Sequence, residues 1–419
     1  MGGPVRAGFG TSEITPPPGV DLTGYGFYRD RRLERVLDPL YARCLLLDDG
    51  QTRLAIVSCD LIGLTIPFSD DVRRRIAEAC GTRADGVMLA CTHTHSGPAT
   101  ADLLGMGSAD ADFMARLPGL IVEACAAAAA DLAPADVGWA TGEVEAIGHC
   151  RLPEEPVDYE DPKLGVLVCR RATGDVGFVQ YACHAVTLGI NRECSADYPG
   201  AVVRAVRSHG VEALFLNGPA GDIDPLVNKA QWGSGTPGDV ERYGRQLGDR
   251  SAELMRRVEC RAGAELGAAE ARIGLPVRVP DKAALAEEHA RALERLAATH
   301  EPADRFEAEA CERALARVRS GRALDTVEFV VQVVRIGALR LVGLSGEVYS
   351  GVGRAVVRAA GGPAMVVAQA NGALGYIPDE AALAAGADYG SSGAAKIYGH
   401  FPLEPEAPRR IVEAVHGLL

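Results

Sequence analysis

The chain has 419 residues, a formal net charge of −13 and 47% hydrophobic residues. That is apolar material for a large core, and the acidic balance lacks any Lys/Arg run that could track phosphates, which sets nucleic acid aside as a partner. Eleven cysteines are scattered singly with no CxxC pair, a pattern that suits a reducing compartment better than a disulfide framework. The N-terminal residues show no signal-type apolar segment, and no apolar run reaches the roughly 20 residues of a membrane span. The expectation is a cytoplasmic protein without stable membrane insertion.

In chain order, residues 5–10 read as a first strand. Residues 40–47 and 54–58 read as a hairpin turning at Asp48-Asp49-Gly50. A helix is predicted over 69–80, with Ser69 as N-cap and Gly81 after it. Residues 87–90 form a short buried strand. A helix follows over 111–131, bent or restarted at Pro118. Strands are predicted at 137–145, 164–170 and 177–183, a helix at 198–208, and a strand at 213–216. A helix at 237–257 and a strand near 267–279 come next. Residues 281–320 read as a helical hairpin, with Leu285, His289, Leu293 and Leu296 on one inner stripe and Phe306, Ala310, Ala314 and Val318 on the other. Strands at 326–336 and 340–344, a helix at 350–359 and a strand at 364–369 complete the pattern. No linker or repeat interrupts it, so residues 1–419 are expected to form one compact α/β domain, a mixed β-sheet core flanked by helices.

Polar groups collect where these strands end. Asp60 follows the second hairpin strand. His93 and His95 follow the strand at 87–90, and extended backbone there would turn both rings to one face. His184 ends the strand at 177–183. The loop Asn217–Pro225, NGPAGDIDP, opens from a buried strand, as site-forming loops do. Glu347 follows a strand, and Tyr376 follows another. Each has an ordinary alternative: a solvated HxH pair, a hydrogen-bonded core histidine, a helix N-terminal carboxylate, a packing tyrosine. Their common position at strand ends is what raises them together.

In order, the segments AGFGTSEITPPPGVDLTGYG, DPLYARCLLLDD, CTHTHSGPA, YACHAVTLG, NGPAGDIDP, LSGEVYSGVGR and NGALGYIPDEAALAAGADYG resemble the catalytic domain of the neutral/alkaline non-lysosomal ceramidase family. The resemblance implies a zinc site at the strand ends, with His93, His184, Glu347 and Tyr376 as ligands. It implies catalytic roles for His95, Arg151 and Tyr389, and it places Asp222 and Asp224 at the substrate. Two imidazoles and a carboxylate leave zinc a net positive charge, able to lower the pKa of a bound water towards about 7. The family's C-terminal immunoglobulin-like domain is not seen, and Asp224 stands where the family has Ser. The expected function is therefore zinc-dependent hydrolysis of a small or medium N-acyl amide rather than long-chain ceramide, in a pocket walled by Thr94, Ser96, Asn191, Arg192, Asn217, Asp222, Asp224 and Asn371. The alternatives are an esterase or lactonase on the same zinc, or a non-catalytic member that binds a ligand. A homo-oligomer is compatible with the sequence, which leaves the oligomeric state open.

Overall fold

The computed structural model describes residues 4–152, 163–321 and 325–419. Eight strands form the larger sheet: β1 (Val5–Glu13), β2 (Tyr41–Asp48), β3 (Arg53–Cys59), β4 (Val87–Cys91), β5 (Ala133–Glu143), β6 (Lys163–Arg171), β7 (Asp175–Tyr181) and β8 (Val211–Asn217). They lie in the order β8-β7-β6-β5-β1-β2-β3-β4. The pairs β3–β4 and β7–β8 are parallel and the rest antiparallel. Parallel neighbours need a crossover, and the helices between those strands supply it.

A second group of strands follows: β9 (Leu266–Pro276), β10 (Thr326–Ile336), β11 (Leu339–Leu344), β12 (Glu347–Val348), β13 (Ala364–Val367) and β14 (Tyr376–Ile377). A four-stranded sheet runs β9-β10-β11-β13, and β12 and β14 form a short parallel pair of their own. The expected mixed sheet core is thus two stacked sheets. Leu45, Ile56, Leu167, Phe178 and Leu216 of the first share a buried cluster with Val334, Leu341, Met365 and Val367 of the second. Each such side chain, wholly removed from water, contributes roughly 1.5–3 kcal/mol.

Helices α1 (Ile66–Cys80) and α2 (Ala111–Ala130) cover one part of the large sheet, and α3 (Asp197–Ser208) and α4 (Pro237–Arg257) cover another. A hairpin of α5 (Lys282–Thr299) and α6 (Pro302–Ser320) packs through Phe306 and Ala310 against Ile62, Leu103 and Leu104. Helices α7 (Ser350–Ala359), α8 (Ala394–Tyr398) and α9 (Ala407–Gly417) close the far side of the small sheet.

Three local expectations need correction. Helix α1 begins before Ser69: Thr65 is its N-cap, accepting from the Phe68 amide at 3.3 Å, while Gly81 ends it at φ 62° as expected. Helix α2 does not restart at Pro118 but runs on through it, and its 20 residues are long and apolar enough to cross a membrane by length and composition. Here its Phe113, Leu117, Ile121 and Ala124 are buried in the core beneath β1 and β2. In α5 the buried residues are Leu285 and Ala292, whereas Leu293 is 47% exposed. A strict four-residue step drifts about 40° around the helix each time, so two steps carry Leu293 off the face that a seven-residue step keeps.

Candidate metal centre

Three strand ends meet at one asparagine. Asn217 closes β8, whose register sets it opposite Tyr181, the last residue of β7. Its side-chain amide donates to the Thr92 carbonyl at 3.2 Å, just beyond the end of β4. That bond draws the segment after β4, carrying His93 and His95, to the segment after β7, carrying His184. Asp60, also at a strand end, is committed elsewhere: it is buried against Arg43 at 2.7 Å and accepts from the Tyr41 amide at 2.9 Å.

The two histidines of the HxH pair meet, though not by the extended backbone expected. His93 sits at φ 67°, in the left-handed region, because β4 has already ended and its amide turns to the Leu61 carbonyl at 2.9 Å. The rings still converge, with Nε2 atoms 3.3 Å apart. His93 Nδ1 lies 2.5 Å from the Ile62 carbonyl, His95 Nδ1 2.8 Å from the Gly24 carbonyl, and His184 Nδ1 3.3 Å from the Ile223 carbonyl. A carbonyl oxygen only accepts, so each Nδ1 carries a hydrogen, and a ring in its neutral form then presents its lone pair at Nε2. The close approach at His95 depends on Gly24, where φ is +100° and a Cβ would stand 2.5 Å from the His95 ring.

Glu347 supplies the fourth group. Its Oε2 is 3.2 Å from His93 Nε2 and 3.0 Å from His184 Nε2, with all three side chains buried. Burial alone would raise this carboxyl, but His93 and His184 reverse that and hold it well below the usual carboxylate range. Burial pushes His95 well below the ordinary histidine value, reinforced by His93 and His184, so its ring is neutral.

Strands β12 and β14 pair with Glu347 directly opposite Tyr376, which brings the tyrosine hydroxyl 3.4 Å from His184 Nε2. Arg151 donates from Nη2 to that hydroxyl at 2.9 Å and to the Gly221 carbonyl at 2.7 Å. Burial opposes its charge, yet Tyr376 and Asp224 keep Arg151 protonated. Tyr389 stands edge-on to Tyr376 with ring centres 5.5 Å apart, and is 45% exposed.

The two aspartates part company. Asp224 borders the cavity, 3.4 Å from Arg151 Nη1 and 3.7 Å from His184 Nδ1. Asp222 accepts from both the amide and the hydroxyl of Ser350, each at 2.6 Å, and so caps α7. Both of its oxygens are spent on the fold. Asp222, expected at the substrate, is not among the residues lining the cavity.

The cavity above this cluster has a volume of about 340 Å³. Its walls include Phe27, Ile62, Leu103, Met106, Leu152 and Val186, with Trp232 and Ile397 beyond them. Of the polar residues expected there, only Asp224 lines it. Asn191 is bonded to Ser96 and Gly189, Asn371 to Leu89 and Gln332, and Thr94 to Ser195. These side chains satisfy buried backbone around the site, which is why they are polar. Sequence reasoning also missed Tyr398, whose hydroxyl donates to Glu347 Oε1, and Tyr25, edge-on to His95 at 5.5 Å. The GYG of the first motif marks Gly24 and Tyr25. No pattern marked Tyr398.

The residues present suit a metal ion. His93, His95 and His184 bring ring nitrogens within 4.8 Å of one another and Glu347 Oε2 lies against two of the rings, an arrangement that a central cation suits. Imidazole and carboxylate are ligand types that suit a divalent metal ion, and a backbone carbonyl on each Nδ1 fixes the ring's tautomer. Among the described residues, Glu288, Glu307 and Cys311 also cluster. There Lys396 already supplies the positive charge, at 3.2 Å from Glu288 and 2.6 Å from Glu307.

No known protein-family model matches the chain. The neutral ceramidase of Mycobacterium tuberculosis (strain ATCC 25618 / H37Rv) is 27% identical over 209 residues, 44% of this chain and 32% of that protein. The match thus spans about a third of that relative's length. The fold is shared with the neutral ceramidase of Pseudomonas aeruginosa, at TM-score 0.74 and 19% identity over 99% of this chain and 74% of that one. A ceramidase structure complexed with C2 superposes at TM-score 0.76 and 18% identity, with the same coverage. The resemblance read from the sequence motifs is therefore met again in the fold.

Proposed function

We propose that this chain is a zinc-dependent amidohydrolase cleaving a small or medium N-acyl amide. The observation that carries the reading is the convergence of His93, His95, His184 and Glu347 at the base of an apolar cavity. The likeness to ceramidases supports an N-acyl amide as the bond cleaved. His93, His184, Glu347 and Tyr376 would hold the metal, the Tyr376 hydroxyl lying 3.4 Å from His184 Nε2. When bound, zinc at such a set polarises a carbonyl and lowers the pKa of a coordinated water to about 7.

The protein's own groups complete the chemistry. Arg151, held in place by its bonds to Tyr376 and the Gly221 carbonyl, would meet the charge that develops on the carbonyl oxygen, and such a donor is worth about 10²–10³ in turnover. Tyr389 lines the same cavity, its hydroxyl without a hydrogen-bond partner among the described residues, and would meet the substrate. Neutral His95 is suited to take a proton at Nε2 and return it to the departing amine. The apolar walls suit an acyl chain. A volume of about 340 Å³ is near the lower end of the roughly 300–1,000 Å³ typical of ligand pockets, which favours an acyl group shorter than that of long-chain ceramide.

The test is kcat/KM for zinc-loaded protein across N-acyl amines from acetyl to long-chain acyl, with the matching esters, in one detergent-matched assay. The reading expects amides of short or medium acyl length to lead. A tenfold preference for long-chain ceramide refutes the size assignment, a preference for esters refutes the bond assignment, and hydrolysis of none supports a ligand-binding protein.

A further inference from the structure

We propose that Tyr398 is a positioning residue for the metal-binding carboxylate, its hydroxyl occupying one oxygen of Glu347 so that the other alone faces the imidazoles. The inference rests on the metal-centre reading above. The two oxygens of Glu347 have separate partners. Oε2 lies 3.2 Å from His93 Nε2 and 3.0 Å from His184 Nε2, whereas Oε1 receives the Tyr398 hydroxyl. The terminal torsion of a glutamate is soft, so an unrestrained carboxylate could turn and offer both oxygens at once. The tyrosine bond removes that freedom.

Tyr398 is itself held in place by the strands that carry the site. It ends helix α8, which Gly399 terminates at φ 72°. Its ring lies against Gly375, where φ is +120° and a Cβ would stand 2.7 Å from Tyr398 Cδ2. Gly375 immediately precedes Tyr376, and its carbonyl accepts from the Glu347 amide at 2.7 Å. Tyr398 thus rests on the peptide that joins β12 to β14, while its hydroxyl reaches the side chain of β12. One residue braces both the backbone and the carboxylate. Tyr398 lines the cavity, but this role is exercised through Glu347 and not on the substrate.

Partners of this kind around a metal ligand typically tune affinity by about 10–100-fold. The experiment strips the protein of metal and measures zinc affinity by competition with a chromophoric chelator, for the natural protein and Tyr398→Phe. It also records the melting temperature of both stripped proteins and the zinc X-ray absorption spectrum of both loaded ones. The expected result is zinc binding weakened about 10–100-fold in Tyr398→Phe, with the stripped melting temperature unchanged. In the spectra, one carboxylate oxygen should contact zinc in the natural protein and two in the variant. Equal affinities within twofold would overturn the proposal. So would two carboxylate oxygens on zinc in the natural protein, a result that needs no variant to fold. Failure of the natural protein to bind zinc at all would refute the metal centre itself, an outcome distinct from both.

Discussion

The Nε2 atoms of His93 and His95 face each other at 3.3 Å while each Nδ1 hydrogen is committed to a backbone carbonyl. Glu347 Oε2 lies 3.2 Å from His93 Nε2 and 3.0 Å from His184 Nε2, so a cation held by His93, His184 and Glu347 would bind this buried cluster together, with His95 beside it. Zinc should therefore stabilise the fold strongly, by about 4 kcal/mol at a thousandfold excess over its dissociation constant. Melting curves of stripped protein with and without zinc measure this; coincident curves would count against the site.

Glu347 separates the roles of the histidines. It contacts His93 and His184, while His95 is turned towards Gly24 and Tyr25. His93→Ala and His184→Ala should each lose stoichiometric zinc and activity together. His95→Ala should keep zinc and lose turnover, by about 10²–10⁴-fold for a lost proton-transfer group. Metal analysis of the three variants decides it, since equal loss in all three would make His95 a ligand.

Arg151 spends one nitrogen on Tyr376 and Gly221 and faces Asp224 with another. A lysine has no such fork. Arg151→Lys should reduce kcat by about 10²–10³ with KM little changed. A rise in KM at constant kcat would instead mark a ground-state contact.

Asp224 adds a carboxylate at the cavity where the ceramidase-like motif carries Ser. Asp224→Ser should improve anionic amides relative to neutral ones by about tenfold, equivalent to about 1.4 kcal/mol. An unchanged order of preference would remove Asp224 from substrate selection.

Asp197 gives a pH prediction away from the chemistry. Its buried carboxylate accepts from the amides of Thr187, Leu188 and Tyr198, yet burial outweighs these bonds and raises it from 3.8 to about 6. The folded state then binds this proton more tightly than the unfolded chain, so the stabilisation it brings is lost as pH rises through about 6. Asp197→Asn lacks this titration. Relative to the natural protein, its stability should improve by about 1 kcal/mol between pH 5 and pH 7. Denaturant melts at both values test this, and a difference that does not change with pH contradicts it.

Much of the fold was legible because apolar runs, the Asp48-Asp49-Gly50 turn and Gly81 act locally. Stacking of the two sheets was not, since both faces of a buried strand read alike as apolar. His93, His184, Glu347 and Tyr376 were legible as strand-end polar residues sharpened by family motifs, and the structure gathers them. Asp222 misled because a carboxylate that caps a helix and one that meets a substrate look identical in sequence. The polar wall misled for a related reason: Asn191, Asn217 and Asn371 serve buried backbone, whereas the cavity takes its walls from distant apolar loops. Tyr398 lies in a short helix whose sequence carries no motif, and its role depends on a contact 51 residues back in the chain.

The most direct test of the central claim is to return zinc stepwise to stripped protein while measuring amine release from a medium-chain N-acyl amide. The account predicts no release without metal and a linear rise that breaks at one equivalent of zinc per chain, with Glu347→Gln silent throughout. Undiminished hydrolysis by the stripped protein, or one equivalent of bound zinc with no hydrolysis of any amide, would contradict it.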